Sequence, residues 1–218
     1  MAPPAPDQTE AAEEIPAHEL VYTTVVEEFS RLPIDGGRVA FEEQLQGFGY
    51  INRHTNVFAD VETQTLTEEL LGHTVQIRAI PVEYTFDYGD GTVRTTSRAG
   101  ESVAHFAETN NSINLTDAET PTSHIYSSTG VYPVQVTTRF IGEFQVEDSG
   151  WIAIPGSTTA AASPGEADIW RTSQRLVSGA CRDAADYGCN GPFTIEPGDR
   201  PPAIYQDRYD EDGNWLGR

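Results

Sequence analysis

Lysine is missing from this sequence: all 13 basic residues are arginine, set against 34 Asp and Glu, for a formal net charge of −21. A surface of that sign repels duplex DNA, RNA and anionic lipid, so no nucleic-acid partner is expected. Long apolar runs are missing too. No stretch reaches the roughly 18 to 20 apolar residues that cross a bilayer, so no membrane insertion is expected for this chain. The first thirty residues hold no basic region followed by an apolar core, and therefore no export signal. Cysteine is scarce. Cys181 and Cys189 are the only two, and they lie in a polar, Gly-containing segment. Two thiols fall short of a four-ligand metal centre and do not form Cys-x-x-Cys, so a local disulfide is the simplest reading. That pairing favours an exported protein whose signal has been removed.

The motifs of common chemistry are also missing. His18, His54, His73, His105 and His124 form neither His-Glu-x-x-His nor His-x-His. There is no Gly-x-Ser-x-Gly and no phosphate-binding glycine loop. Asp87 and Asp90 flank a glycine turn, but calcium needs six to eight oxygens and no loop supplies them. Their expected role is to accept backbone N–H groups and fix the turn. Asp210, Asp212 and Gly213 fail as a calcium loop, because Arg208 stands where an oxygen donor belongs. A glycosidase would need two facing carboxylates, and 34 acids guarantee chance pairs. No catalytic, cofactor or metal residue is assigned.

What is present is β-structure. Apolar residues make up 38% of the 218, enough for one core of roughly 120 residues. Residues 1–19, rich in Pro, Ala and Glu, read as a disordered leader. Residues 20–31 carry β-branched side chains that suggest a strand, while Leu20, Val21, Val25, Phe29 and Leu32 also fit helical spacing. Short β-like pieces follow at 39–41, 48–51 and 56–61, and residues 62–72 read as a helical turn or an irregular link. From Thr74, Val75, Ile77 and Ala79 alternate, and past Pro81 the apolar set changes parity to Val82, Tyr84, Phe86 and Tyr88. A period of two changes parity only at a break, which places a bulge or bend at Ile80-Pro81. Gly89-Asp90-Gly91 then turns the chain into Thr92-Val93, a hairpin. Residues 97–120 read as a long surface loop with one β-like piece, 102–106. Its Asn110-Asn111-Ser112 and Asn114-Leu115-Thr116 fit the glycosylation pattern, which a polar loop produces readily by chance. Tyr132, Val134, Val136, Thr138 and Phe140 mark the cleanest strand, with Phe144 and Val146 carrying its phase past Gly142. Trp151, Ile152 and Ile154 suggest a short strand, 155–165 a flexible loop, and Ile169, Leu176 and Val177 a last strand.

Two motifs in this order resemble a PKD domain, an Ig-like β-sandwich of surface proteins. The first is Phe86-Asp87-Tyr88-Gly89-Asp90-Gly91. The second is Pro121-Thr122-x-His124-x-Tyr126, then Gly130 and Tyr132-x-Val134-x-Val136. Phe86 stands where the family usually has Trp, and the insert between the motifs is long. The core likeness covers about 74–147. A looser one over 20–190 is similar to exported actinobacterial PKD-domain proteins and carries location and fold without an activity. The resemblance implies an all-β, Ig-like antiparallel sandwich, with Phe86, Asp87, Gly89, Asp90, Gly91, His124, Tyr126, Gly130 and Tyr132 as structural residues.

The expected organisation is a leader (1–19), an N-terminal extension of short strands packing on the sandwich (20–73), the sandwich core (74–147), further strands and a loop (148–178), and a disulfide loop with an irregular tail (179–218). The expected function is a non-enzymatic extracellular or cell-surface module with a protein or glycan partner, binding through loop 97–120 and exposed rings such as Trp151 or Trp170. The alternatives are a part of a polysaccharide-acting enzyme, which requires a cleft with two carboxylates and a raised pKa, and a mechanical spacer, which requires no pocket.

Overall fold

The computed structural model describes residues 17–109, 113–147 and 149–171, and these are mainly strand. The Cys181–Cys189 pairing, the leader up to residue 16 and the points Leu176 and Val177 lie outside the described residues.

Two long strands organise the fold: β6 (His73–Asp87) and β9 (Gly130–Val146). They pair antiparallel from Val75↔Val146 to Asp87↔Gln135, so the two strongest alternating segments are neighbours in one sheet. The parity change in β6 is a register shift between Pro81 and Glu83, just past the Ile80-Pro81 position at which the sequence placed a break. It has a clear consequence. Val75, Ile77 and Ala79 before the shift, and Tyr84 and Phe86 after it, all face the same side as the even-numbered residues of β9. The shift keeps both halves of β6 facing one core.

The remaining strands of this sheet are β2 (Phe48–Tyr50), β5 (Gln64–Leu70), β7 (Val93–Thr96), β10 (Ile152–Ala161) and β11 (Gly165–Trp170). The order is β2-β11-β9-β6-β5, with β10 on β9 and β7 on β6. β2 pairs with β11 in parallel, so the sheet is mixed rather than wholly antiparallel. Two small pairs complete the strands: β1 (Arg38–Phe41) with β4 (Val57–Asp60), and β3 (His54–Thr55) with β8 (His124–Ile125).

One face of the long strands is covered in two ways. Over one half, Val39, Val57 and Ala59 of the β1–β4 pair pack with Tyr84, Phe86, Tyr132, Val134, Val136 and Ile169. Over the other half lies α1 (Ala17–Phe29), whose Val21, Val25 and Phe29 pack with Val75, Ile77, Ala79, Phe140, Phe144 and Ile154.

Several expectations are corrected here. Of the two readings left open for 20–31, the helical one holds up to Phe29, because the stripe at 21, 25 and 29 finds an apolar sheet face to cover, and that burial outweighs the β preference of Val and Thr. The extension 20–73 therefore contains a helix as well as short strands, and the helix begins inside the segment read as leader. Residues 64–70 of the expected link form β5, and 155–161 of the expected loop form part of β10. Both are recruited by pairing with a long neighbour. Within 97–120, Ala104–Thr109 is a short helix (α2) and Leu115–Asp117 a 3-10 turn, in place of a β piece.

Candidate binding surface

The motif residues build one constellation, a buried stack of rings capped by an exposed Asp–Gly turn. Asp87 Oδ1 accepts from Gly89 N (3.0 Å) and Asp90 Oδ1 from Thr92 N (2.9 Å), so each carboxylate closes its own turn around Gly89 and Gly91, both at positive φ. Phe86 stacks on Tyr88 (5.9 Å) and Tyr88 on His124 (4.3 Å). His124 meets Tyr126 edge-on (4.6 Å), and Tyr126 stacks on Tyr132 (4.5 Å). The hydroxyls are used internally. Tyr88 donates to the Thr122 carbonyl (2.9 Å), Tyr126 to that of Tyr88 (3.0 Å) and Tyr132 to that of Ser128 (2.9 Å). Burial pushes all three phenols up, which leaves them hydrogen-bond donors and not bases. Gly130 opens β9 opposite Ile169. This stack ties the hairpin to residues 121–132, and its three tyrosine hydroxyls are spent on backbone carbonyls.

His124 is 8% exposed and its Nε2 lies 2.7 Å from Asp90 Oδ2. Burial raises the Asp90 pKa, but the His124 ring and the Thr92 N–H and hydroxyl bind the carboxylate, and the net shift is downward. A carboxyl with a lowered folded-state pKa adds stability that is complete above its unfolded value, about pH 4, and is lost as pH falls through the lowered value. Asp117, held low by the His54 N–H and the Arg53 guanidinium, acts in the same sense. Asp90→Asn is therefore expected to flatten the acid limb of a stability-against-pH curve. Superimposable acid limbs for variant and wild type would refute a role for the pair.

Sequence reasoning passed over Glu42. It reads as one more acid in Phe41-Glu42-Glu43-Gln44, yet it is 1% exposed. Its Oε1 accepts from Asn56 Nδ2 (2.6 Å) and Val103 N (2.9 Å), and its Oε2 from Ser102 Oγ (2.6 Å). Asn56 Nδ2 also reaches the Glu101 carbonyl (2.9 Å), and its Oδ1 accepts from Thr120 Oγ1 (2.7 Å). Both ends of loop 98–121 are thus fastened to the body by one buried network. Its only advance sign was the apolar Val39-Ala40-Phe41 run, which places the following residue at a strand end.

Beside this network opens a groove of about 1030 Å³. Phe41, Phe58 and Gly165 supply apolar lining, Pro133 and Pro164 stiffen it, and Arg38, Glu43, Gln46, Ser102 and Glu166 add polar groups. Arg38 is held by Asp60 (2.7 Å). A second hollow of about 420 Å³, lined by Arg98, Glu101, Val103, Glu119 and Thr120, lies on the loop itself. Residues of the expected contact loop 97–120 therefore line both concavities.

The two tryptophans differ. Trp151 is 37% exposed, with the Arg78 guanidinium 4.2 Å from its ring centre. Trp170 is 3% exposed and packs with Phe48, so it is a core residue and not a surface anchor. Among the described residues no group of three or more His, Cys, Asp and Glu is placed to hold a metal ion. Asp168 is a described carboxyl pushed up, mainly by burial and further by Glu166, with Trp170 opposing, and it does not line the groove. Among the described residues no helix is long and apolar enough to cross a membrane. No family model, no curated protein and no solved structure matches this chain.

Proposed function

We propose that this chain is a non-enzymatic, PKD-like binding module of the cell surface, and that its groove beside loop 98–121 takes a protein or glycan partner. The observation that carries this reading is the groove itself: a concave, mixed polar and aromatic site whose wall is held rigid by a buried carboxylate network. A pure spacer has no need of such a hollow. An acid–base pair is less well supported than binding, because Glu42 is consumed by three donors and Asp60 by Arg38, the other lining acids Glu43 and Glu166 are exposed, and the raised carboxyl of Asp168 lies elsewhere. The packing of the β1–β4 pair on the long strands and the closed turns at Asp87 and Asp90 support the Ig-like comparison. The export assignment rests on the cysteine pair and the family likeness.

The test is a binding screen of the chain against a glycan array and solubilised envelope proteins, with Glu43→Arg/Glu166→Arg as comparison. Both side chains are exposed groove-lining acids, so their reversal leaves the core intact. Wild-type binding that falls at least about tenfold (~1.4 kcal/mol) in the variant, at unchanged thermal stability, is the expected result. Binding that is indifferent to both charges, or no binding to either library, would refute the groove assignment.

A further inference from the structure

The edges of the main sheet are not alike. β2 has three residues and β7 four, and β10 carries Pro155 with a register break between Ile154 and Thr158. Short strands, prolines, bulges and charged side chains are the devices that stop a sheet edge from pairing with another chain. β5 has only the last of these, in Glu68 and Glu69. Its seven residues Gln64-Thr65-Leu66-Thr67-Glu68-Glu69-Leu70 run without proline, glycine or bulge, in unbroken register with β6.

The hydrogen-bonding phase of β5 follows from its turn. Leu71 (φ 52°) and Gly72 (φ 83°) form a two-residue hairpin connection with both φ values positive, so Leu70 and His73 are a hydrogen-bonded pair. Alternation then assigns Gln64, Leu66 and Glu68 to bonds with β6, and turns the N–H and C=O groups of Thr65, Thr67 and Glu69 away from the sheet. Among the described residues no other backbone hydrogen bond reaches those three. At the Gln64 end the side chain clasps the Asp35 backbone through bonds of 2.9 and 2.6 Å, which fixes the start of the edge.

This edge is self-complementary about Thr67. Antiparallel pairing with a second copy through a two-fold axis at Thr67 sets Thr67 opposite Thr67, Thr65 opposite Glu69 and Leu66 opposite Glu68. No glutamate lies directly opposite another, and the residues with free backbone groups meet each other, giving about six new backbone bonds. The half-buried Leu66 side chains become diagonal neighbours across the axis. We propose that β5 is a homodimer edge, joining two copies through Thr65, Thr67 and Glu69 into one continuous sheet with the two grooves left open. The interface is isologous. Two copies at −21 each repel, so the association strengthens with added salt.

The test measures the mass of the full chain by sedimentation at low and high ionic strength, together with amide exchange at low and high protein concentration. Expected are a concentration-dependent dimer favoured by salt and a concentration-dependent slowing at Thr65, Thr67 and Glu69 but not at Leu66 or Glu68. Thr67→Glu places like charges on the axis at an exposed position and should weaken the dimer about tenfold or more. Thr67→Pro deletes an N–H that β6 does not use. A monomer under all conditions, a dimer unchanged in Thr67→Glu, or protection of the three amides independent of concentration would each overturn the proposal. The last outcome would mean that another segment of the same chain covers the edge. Loss of the dimer leaves groove binding by the monomer intact, so the two proposals fail separately.

Discussion

Glu42→Ala is expected to lower stability by on the order of 3 kcal/mol, a fall of roughly 10 °C in Tm for a chain of this size. The cause is the set of donors left behind. Asn56 Nδ2, Ser102 Oγ and Val103 N all point at a carboxyl group that is 1% exposed, and removing it strands them beside a void. The loss is also local. Loop 98–121 is fastened through this group and through Asn56, so trypsin should cut after Arg98 faster in the variant. The chain has no lysine, so cleavage is confined to its 13 arginines and the cut after Arg98 is read from fragment masses. Glu42→Gln should cost less than half as much, because an amide oxygen can serve Asn56 and Val103 while its nitrogen donates to Ser102 Oγ. Thermal melts and timed digestion check both variants. A neutral Glu42→Ala would remove the account of what holds the groove wall, and a Glu42→Gln equal to it would show that the negative charge itself is needed.

Gly142→Val should detach α1 from the sheet. In the sequence Gly142 reads as a weak point in the cleanest strand; in the fold it is a place where the Phe29 ring of the helix lies against the strand. A Cβ there would lie 2.6 Å from Phe29 Cε2, 2.7 Å from Phe29 Cζ and 2.8 Å from Ile154 Cδ1. Overpacking of this kind costs about 1 to 3 kcal/mol, and because the Cβ itself is the crowded atom no rotamer at 142 relieves it. The damage should be confined to one half of the molecule. Amide protection is expected to drop over Ala17–Phe29 and to persist around Tyr88 and Tyr126, which belong to the other core cluster. Phe29→Leu should restore part of the loss in the Gly142→Val background, giving a coupling that a double-mutant cycle reads directly. Uniform loss of protection across both clusters would contradict a two-part core.

The local pattern of side chains made a good part of this fold legible. Alternation in 74–88 and 132–146 announced two strands with one buried face, the parity change announced the register shift, and Gly89-Asp90-Gly91 announced the hairpin. Each of these is written within a few residues, because a strand's pleat, a turn's φ values and an Asx hydrogen bond are short-range. The segment 97–120 was also legible in outline, as a long polar excursion. Its fastening was not, since Glu42 and Val103 are far apart in the chain and a buried glutamate has no local signature among neighbouring acids.

The sequence by itself determined the strand-dominated class, the phase of the two central strands and the strongly acidic charge. Tertiary structure alone decided that 17–29 is a helix, that 64–70 and 155–161 are strands, that Trp170 is core and that Glu42 is buried. In each case the local preference is worth a few tenths of a kcal/mol per residue, whereas covering a sheet face or completing a ladder is worth several times that, and the partner lies in a distant part of the chain.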